Sequence, residues 1–95
     1  MSNKEAYEKK MEAKIEEWQA EIDSLKAKSK KKSADSEIKY DEKIQKLEQK
    51  QSDAKSKLED VKNAGDDAWE DLKDGIQNAA NDLDDAIKSA KKQFS

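Results

Sequence analysis

Cysteine, histidine and proline are absent from this 95-residue chain, and glycine occurs only twice. All 20 basic residues are lysine, so arginine is missing too. Without cysteine there is no disulfide staple, thiolate nucleophile or zinc cluster. Without histidine there is no Ser-His-Asp triad, no imidazole base near neutral pH and no histidine metal ligand. Without arginine there are no bidentate clamps for phosphate, carboxylate or guanine. Apolar runs never exceed about three residues, far short of the roughly 20 that a spanning helix needs. The opening Met1-Ser2-Asn3-Lys4-Glu5 holds no apolar h-region, so no secretory signal is expected and the expected setting is cytoplasmic.

What remains is charge and helix formers. Charged residues make up 45% of the chain, yet the net charge is only −3. Large apolar residues number 19, and 12 alanines make up the rest of the hydrophobic fraction. Balanced charge with abundant Ala, Glu, Lys and Gln describes elongated helices rather than a thick single core. The expected fold class is all-α, a coiled coil or thin bundle forming one domain over residues 1–95.

Apolar spacing supports this. From Tyr7 the large side chains fall at Met11, Ile15, Trp18, Ile22 and Leu25. After Met11 the gaps alternate between three and four, a heptad seam with Ile15 and Ile22 at a and Met11, Trp18 and Leu25 at d. The seam then lands on Ser29 and Lys32 and turns polar. Ala6, Ala13, Ala20, Ala27 and Ala34 recur every seven residues at f, opposite the seam. They read either as helix formers on a solvated face or as a close contact for another helix. A second seam runs Tyr40, Ile44, Leu47, Gln51, Ala54, Leu58, Val61. Gln51 within it is either a register device or a weak spot. Glu42–Lys46 and Asp53–Lys57 stand at i, i+4.

The third stretch reads with a different period. Residues 68–78 align with 79–89 at eleven residues, matching Ala68/Ala79, Asp71/Asp82, Leu72/Leu83, Asp74/Asp85 and Ile76/Ile87. Eleven residues make three turns, so this stripe is expected to drift slightly right-handed. Its apolar side would carry Trp69, Leu72, Ile76, Leu83, Ile87 and Phe94. Trp18 and Trp69 read as seam anchors whose indole N–H groups can reach solvent at the bundle edge.

One boundary is plain. Asn63-Ala64-Gly65-Asp66-Asp67 offers a glycine for a left-handed C′ position, with Asp66 and Asp67 as candidate N-caps. Asp67 and Glu70 form a pair like a capping box. Acids crowd the first turn of the following helix and Lys88, Lys91 and Lys92 its last, as the helix dipole favours. A second break is open at residues 29–36. Lysines precede Ser33 and acids follow it, yet neither glycine nor proline is present.

The expected architecture is therefore an elongated antiparallel hairpin, with a long helix over about 3–63 and a second over about 67–94. The alternative is a three-helix bundle with a bend near 29–36. Burying a Leu, Ile or Trp gives roughly 1.5–3 kcal/mol, whereas ordering costs about 1–2 kcal/mol per residue in backbone entropy. No helix here can hide its stripe alone. The hairpin leaves Tyr7 to Leu25 bare, so it implies a homo-oligomer, most simply a dimer. The bundle covers all three seams thinly within one chain.

Chemistry and ligands get little support. Asp66, Asp67, Glu70, Asp71 and Asp74, with Asp82, Asp84 and Asp85, match no EF-hand spacing, and a solvated face is the simpler reading. No catalytic residue, metal ligand or cofactor site is expected. Lys26, Lys28, Lys30, Lys31 and Lys32 form a basic run without interleaved aromatics, which disfavours nucleic acid. The segment 67–94 is amphipathic but carries 4 Lys against 7 acids, so contact with an anionic membrane surface would be weak.

Trp18-Gln19-Ala20-Glu21-Ile22-Asp23-Ser24-Leu25-Lys26-Ala27-Lys28, then Tyr40, Ile44 and Leu47, then Gly65-Asp66-Asp67-Ala68-Trp69-Glu70-Asp71-Leu72-Lys73-Asp74-Gly75, resemble a family of short bacterial coiled-coil proteins. These are frequent in cyanobacteria and other Gram-negative groups and are usually labelled stress-response or uncharacterised proteins. The likeness covers nearly the whole chain, and its most specific element is the stretch from Gly65 to Gly75. Ala80 departs from the pattern, because members often repeat there the Trp of the preceding eleven-mer. The resemblance implies all-α structure, a cytoplasmic setting and a link to stress, with no activity or cofactor. The eleven-residue period also looks like that of late-embryogenesis-abundant proteins and exchangeable apolipoproteins. Together these features lead to an expected role: a non-enzymatic protein acting by self-association and protein–protein contact. The seam Tyr7, Met11, Ile15, Trp18, Ile22, Leu25, Tyr40, Ile44, Leu47, Leu58, Val61, Trp69, Leu72, Ile76, Leu83, Ile87 and Phe94 would supply the contacts. The alternative is a membrane-surface or desiccation protectant using the repeat at 67–94.

Overall fold

The first seam runs out of apolar residues at Ser29, and the first helix ends there. Helix α1 spans Asn3–Ser29, α2 Ala34–Asn63 and α3 Trp69–Phe94; the computed structural model describes residues 3–65 and 67–94. There is no strand among the described residues. The protein is thus all-α and elongated, with extents of 51 × 19 × 18 Å. The 30 residues of α2 account for about 45 Å of that length at about 1.5 Å per residue.

Of the two arrangements considered, the molecule adopts the three-helix bundle. A continuous helix over 3–63 does not form. Lys31 and Lys32 donate their N–H groups to the Lys28 and Ser29 carbonyls at 3.2 and 3.1 Å, a tightened last turn. Extended Ser33 (φ −62°, ψ 159°) then precedes α2. The physical reason is coverage. A straight helix would carry the seam onto Lys32, whereas reversal lets α2 and α3 enclose Met11, Trp18 and Ile22, each at most 2% exposed. Ser29 is itself buried, and its hydroxyl donates to Asp41 Oδ1 at 2.8 Å across the turn. Lys26 and Lys28 in the last turn of α1, and Asp35 and Glu37 in the first of α2, suit the dipoles of two separate helices.

Cross-helix ion pairs give the direction of each helix. Lys26–Glu48 (3.0 Å) and Lys62–Glu12 (2.7 Å) set α2 antiparallel to α1. Lys50–Asp82 and the Lys43–Gln93 hydrogen bond set α3 antiparallel to α2, and Lys14–Asp84 and Lys91–Glu21 set α3 parallel to α1. The topology is up-down-up.

The junction between α2 and α3 differs from expectation. Gly65 does not take the left-handed conformation, and no described residue has positive φ. Ala64 leaves the helix in an extended conformation, with its N–H on the Val61 carbonyl at 3.2 Å. The capping comes from a distance: Lys4 of α1 donates its ammonium to the carbonyls of Lys62 and Ala64, at 3.0 and 2.8 Å. A cation from a neighbouring helix satisfies the end of α2, so no left-handed glycine is needed. The expected capping box also fails to form, because Asp67 and Glu70 make no hydrogen bond. Instead Ala68 and Trp69 donate their N–H groups to the Gly65 carbonyl at 3.1 and 3.2 Å. The N-cap and acid-cluster expectations for Asp66 lie outside the described residues.

The eleven-residue period does not govern burial in α3. Its buried residues are Trp69, Ile76, Ala80, Leu83, Ile87, Ala90 and Phe94. From Ile76 on, the gaps alternate between four and three, as in the other two seams. Leu72 falls off this line and is 39% exposed, whereas Leu83, its mate in the eleven-residue alignment, is fully buried. A straight bundle with two heptad partners leaves no geometry for a drifting stripe, and Ala80 and Ala90 fill the seam instead. The f-position alanines of α1 are exposed, so they lie on a solvated face.

Candidate functional site

Most of the residues expected to form an interaction seam lie inside the bundle. Tyr7, Met11, Trp18, Ile22, Leu25, Ile44, Leu47, Leu58, Val61, Trp69, Ile76, Leu83, Ile87 and Phe94 are buried in one core. Ile15 and Tyr40 are half-buried against it, and Leu72 stands at its edge. One chain thus covers the face of α1 that a hairpin would have left bare, and the argument for a second chain based on that face no longer applies. The surfaces left for a partner are mainly polar and grooved, with Ile38 (61% exposed) and Leu72 as the large apolar side chains that stand on them among the described residues.

At the α1–α3 contact, the Trp18 indole N–H does not reach solvent as expected. It donates to Asp84 Oδ1 at 2.6 Å, while Lys14 lies 3.5 Å from Asp84 Oδ2. Closer to the α2–α3 junction, the Tyr7 and Trp69 rings meet at 5.8 Å, with the Lys73 ammonium over both. The Tyr7 hydroxyl reaches Gln77 Oε1 at 3.3 Å. Burial, and secondarily the charge of Asp74, holds the Tyr7 phenol above its ordinary value of 10.0. Gln51, the polar seam residue, is buried and donates to the Ile15 carbonyl at 3.4 Å.

The α1–α2 face carries an open depression lined by Glu12, Ile15, Glu16, Ser52, Lys55, Leu58 and Lys62, among others. The hydrogen bond to Glu12 holds the Lys62 ammonium above its ordinary 10.5, and the bond to Glu48 does the same for Lys26. Of the two i, i+4 pairs expected on α2, Asp53–Lys57 forms at 3.1 Å. Glu42–Lys46 does not.

The α2–α3 face differs in character. Three adjoining depressions share Lys46 and together run from Ser36 to Asp53 along α2. Their floor includes Leu47, Ala86 and Ala90, and α3 adds Ser89 and Gln93 beside them. Their edge on α2 is a row of Lys39, Lys43, Lys46 and Lys50. Lys43 bonds the Gln93 side chain and Lys50 pairs with Asp82 at 2.5 Å. At one end the Tyr40 ring packs on Phe94 at 4.1 Å, and its hydroxyl donates to the Gln93 carbonyl at 3.1 Å.

No group of three or more acidic side chains among the described residues is placed to hold a metal ion. No helix among the described residues is long and apolar enough to cross a membrane.

The lysine row and the core alanines were the residues that pattern reading passed over. Each lysine of the row immediately precedes a seam position (Tyr40, Ile44, Leu47, Gln51), so reading the flank of the seam as well as the seam would have found it. Ala90 stands seven residues from Leu83, and Ala80 seven from Ile87, the same signal in small residues. Asp84 gave no local signal, because its role depends on which face of α1 it meets. No family model, no curated protein and no solved structure matches the chain.

Proposed function

We infer that this is a non-enzymatic helical interaction protein that acts in a cytoplasmic setting by protein–protein contact through its outer charged faces. The observation that carries the reading is the burial of all three seams within one chain. The apolar stripes serve folding, and what is left for recognition is a rod with grooved, densely charged flanks. A membrane-surface role through α3 would require the bundle to open, since Trp69, Ile76, Leu83, Ile87 and Phe94 are all inside it. Circular dichroism in plain buffer tests the reading. A strongly helical state that melts cooperatively supports it. A coil that becomes helical only on drying or in alcohol overturns it in favour of a protectant.

Self-association through the outer faces is the second part of the proposal. Sedimentation equilibrium at micromolar concentration tests it. A species heavier than the 10.8 kDa chain supports it, and a clean monomer leaves contact with other proteins alone. The link to bacterial stress rests on the resemblance of the Gly65–Gly75 stretch. It is tested by whether loss of the protein lowers survival under osmotic or drying stress.

A further inference from the structure

We propose that the groove between α2 and α3 is the docking site for an acidic amphipathic helix of a partner protein, which would lie along it as a fourth helix of the bundle. This names the partner chemistry for the interaction role inferred above, and it rests on that reading.

Charge complementarity carries the proposal. Lys39, Lys43, Lys46 and Lys50 form one row along the groove, and only Lys50 has a carboxylate partner. Lys39 and Lys46 are exposed and make no ion pair or hydrogen bond. Of the carboxylates lining the same depressions, Asp82 is taken by Lys50 and Asp53 by Lys57, which leaves Glu42 against Lys39, Lys43 and Lys46, so the groove keeps a cationic excess. Its floor is apolar and shallow, with Leu47, Ala86 and Ala90 set back between the two helices. A partner would thus have to bring apolar side chains for the floor and carboxylates for the row.

Pitch selects a helix. The lysines recur at four, three and four residues, so Lys39–Lys46 and Lys43–Lys50 are each about 10.5 Å apart along α2. Carboxylates at i and i+7 of a docked helix repeat at the same distance, with an apolar a/d stripe between them. Helices pack about 8–10 Å apart, so a groove between two of them accepts a third. It is too narrow for a DNA duplex to enter. The chain already uses this mode internally, since α3 meets its neighbours through a heptad seam flanked by Lys14–Asp84, Lys50–Asp82 and Lys91–Glu21 pairs.

The test uses the full chain and a fluorescently labelled 21-residue synthetic peptide with leucine at a and d and glutamate at the flanking positions. Fluorescence anisotropy at low salt should give saturable binding in the micromolar range, weakening as salt rises. In Lys39→Glu/Lys46→Glu, affinity should fall at least about tenfold, because two attractions become repulsions. Lys9→Glu/Lys10→Glu, which reverses two exposed lysines on α1, should leave it unchanged. Neither pair of lysines makes an ion pair or hydrogen bond within the chain, so both variants keep the helical circular dichroism of the parent. Absence of binding by a folded, cooperatively melting protein overturns the proposal and leaves the interaction reading standing. A coil-like spectrum in the same samples defeats that reading itself. Equal weakening by both variants shows net charge rather than the groove at work and overturns the site. So does row-dependent binding of poly-L-glutamate, a single-stranded oligonucleotide or anionic vesicles that matches or exceeds that of the peptide.

Discussion

Replacing Trp18 tests the core and its polar link to α3 together. The side chain is 2% exposed, and its N–H donates to Asp84 Oδ1 at 2.6 Å. Truncation to alanine removes the largest buried ring of α1 and leaves a cavity that neighbouring heptad layers can only partly close, at about 3–5 kcal/mol. The stability of a 95-residue domain is about 5–14 kcal/mol at about 0.05–0.15 kcal/mol per residue. Trp18→Ala should therefore remove roughly a fifth of it or more. Trp18→Phe separates the two contributions. It keeps an aromatic ring in the layer but leaves Asp84 without its indole donor. A hydrogen bond to a charged group contributes about 1.5–3 kcal/mol. The Asp84 side chain is 35% exposed and retains Lys14, so water replaces part of the loss and about 1–2 kcal/mol is expected. Urea unfolding followed by far-ultraviolet circular dichroism gives both values, and Trp69 reports independently by fluorescence in each variant. A double-mutant cycle with Asp84→Ala should show a coupling of about 1 kcal/mol. A loss below about 0.5 kcal/mol for Trp18→Ala would mean the ring is not interior, and no coupling to Asp84 would mean the bond does not form in solution.

Three further outcomes follow from the packing. Leu83→Ala should cost about 2–5 kcal/mol and Leu72→Ala less than about 1 kcal/mol; equal losses in urea melts would restore the eleven-residue stripe over the heptad. Lys4→Met should destabilise by about 1 kcal/mol through loss of the cap on the Lys62 and Ala64 carbonyls, and amide exchange should rise at the end of α2; an unchanged exchange rate there would refute the long-range cap. Tyr7 (ordinary value 10.0) and Lys26 and Lys62 (10.5) all have raised values in the fold, so each holds its proton where the unfolded chain releases it. Their stabilising contribution is complete below those values and is lost as pH rises through the folded ones. Thermal melts should therefore fall above pH 10, and Tyr7→Phe, which cannot ionise, should fall less; a midpoint that stays flat or rises there contradicts the assignment.

The sequence made periodicity and polarity legible, but not competition between alternatives. The seams of α1 and α2 could be read residue by residue, because isoleucine, leucine and tryptophan mark a heptad in any context. The turn at 30–33 was harder. Nothing local forbids a helix through Ser29-Lys30-Lys31-Lys32, and the break depends on what α2 and α3 gain by enclosing α1. Only tertiary coverage decides that. The same holds for Gly65, whose local chemistry favours a left-handed cap until Lys4, some sixty residues away in sequence, supplies the end of α2 by another route. In α3 the aligned eleven-mers drew attention to Leu72 and away from Ala80 and Ala90. Alanine carries a weak signal in any hydrophobic pattern, yet a thin bundle needs small residues wherever two helices come close.

A heptad seam on its own leaves register open. Sliding α3 by seven residues against α1 would bring Ile76 to the level of Trp69, Leu83 to that of Ile76 and Ala90 to that of Leu83, and most layers would remain apolar. The polar contacts remove this freedom. After a shift in one direction the Trp18 N–H would meet Lys91, a second donor with no acceptor to offer. After a shift in the other it would meet Gln77, which would give up Tyr7. Either slide would separate Lys14 from Asp84, and one of them would leave Glu21 facing Asp84 in place of Lys91. Across the first turn, Ser29 and Asp41 fix α1 against α2 in the same manner, and Gln51 adds its bond to the Ile15 carbonyl. The exposed pairs contribute modestly to stability, but a register that leaves a buried donor such as the Trp18 N–H unmatched costs about 1–3 kcal/mol. That penalty is comparable to the burial of one large apolar side chain. In a core this thin it is enough to make one alignment of three otherwise repetitive helices prevail.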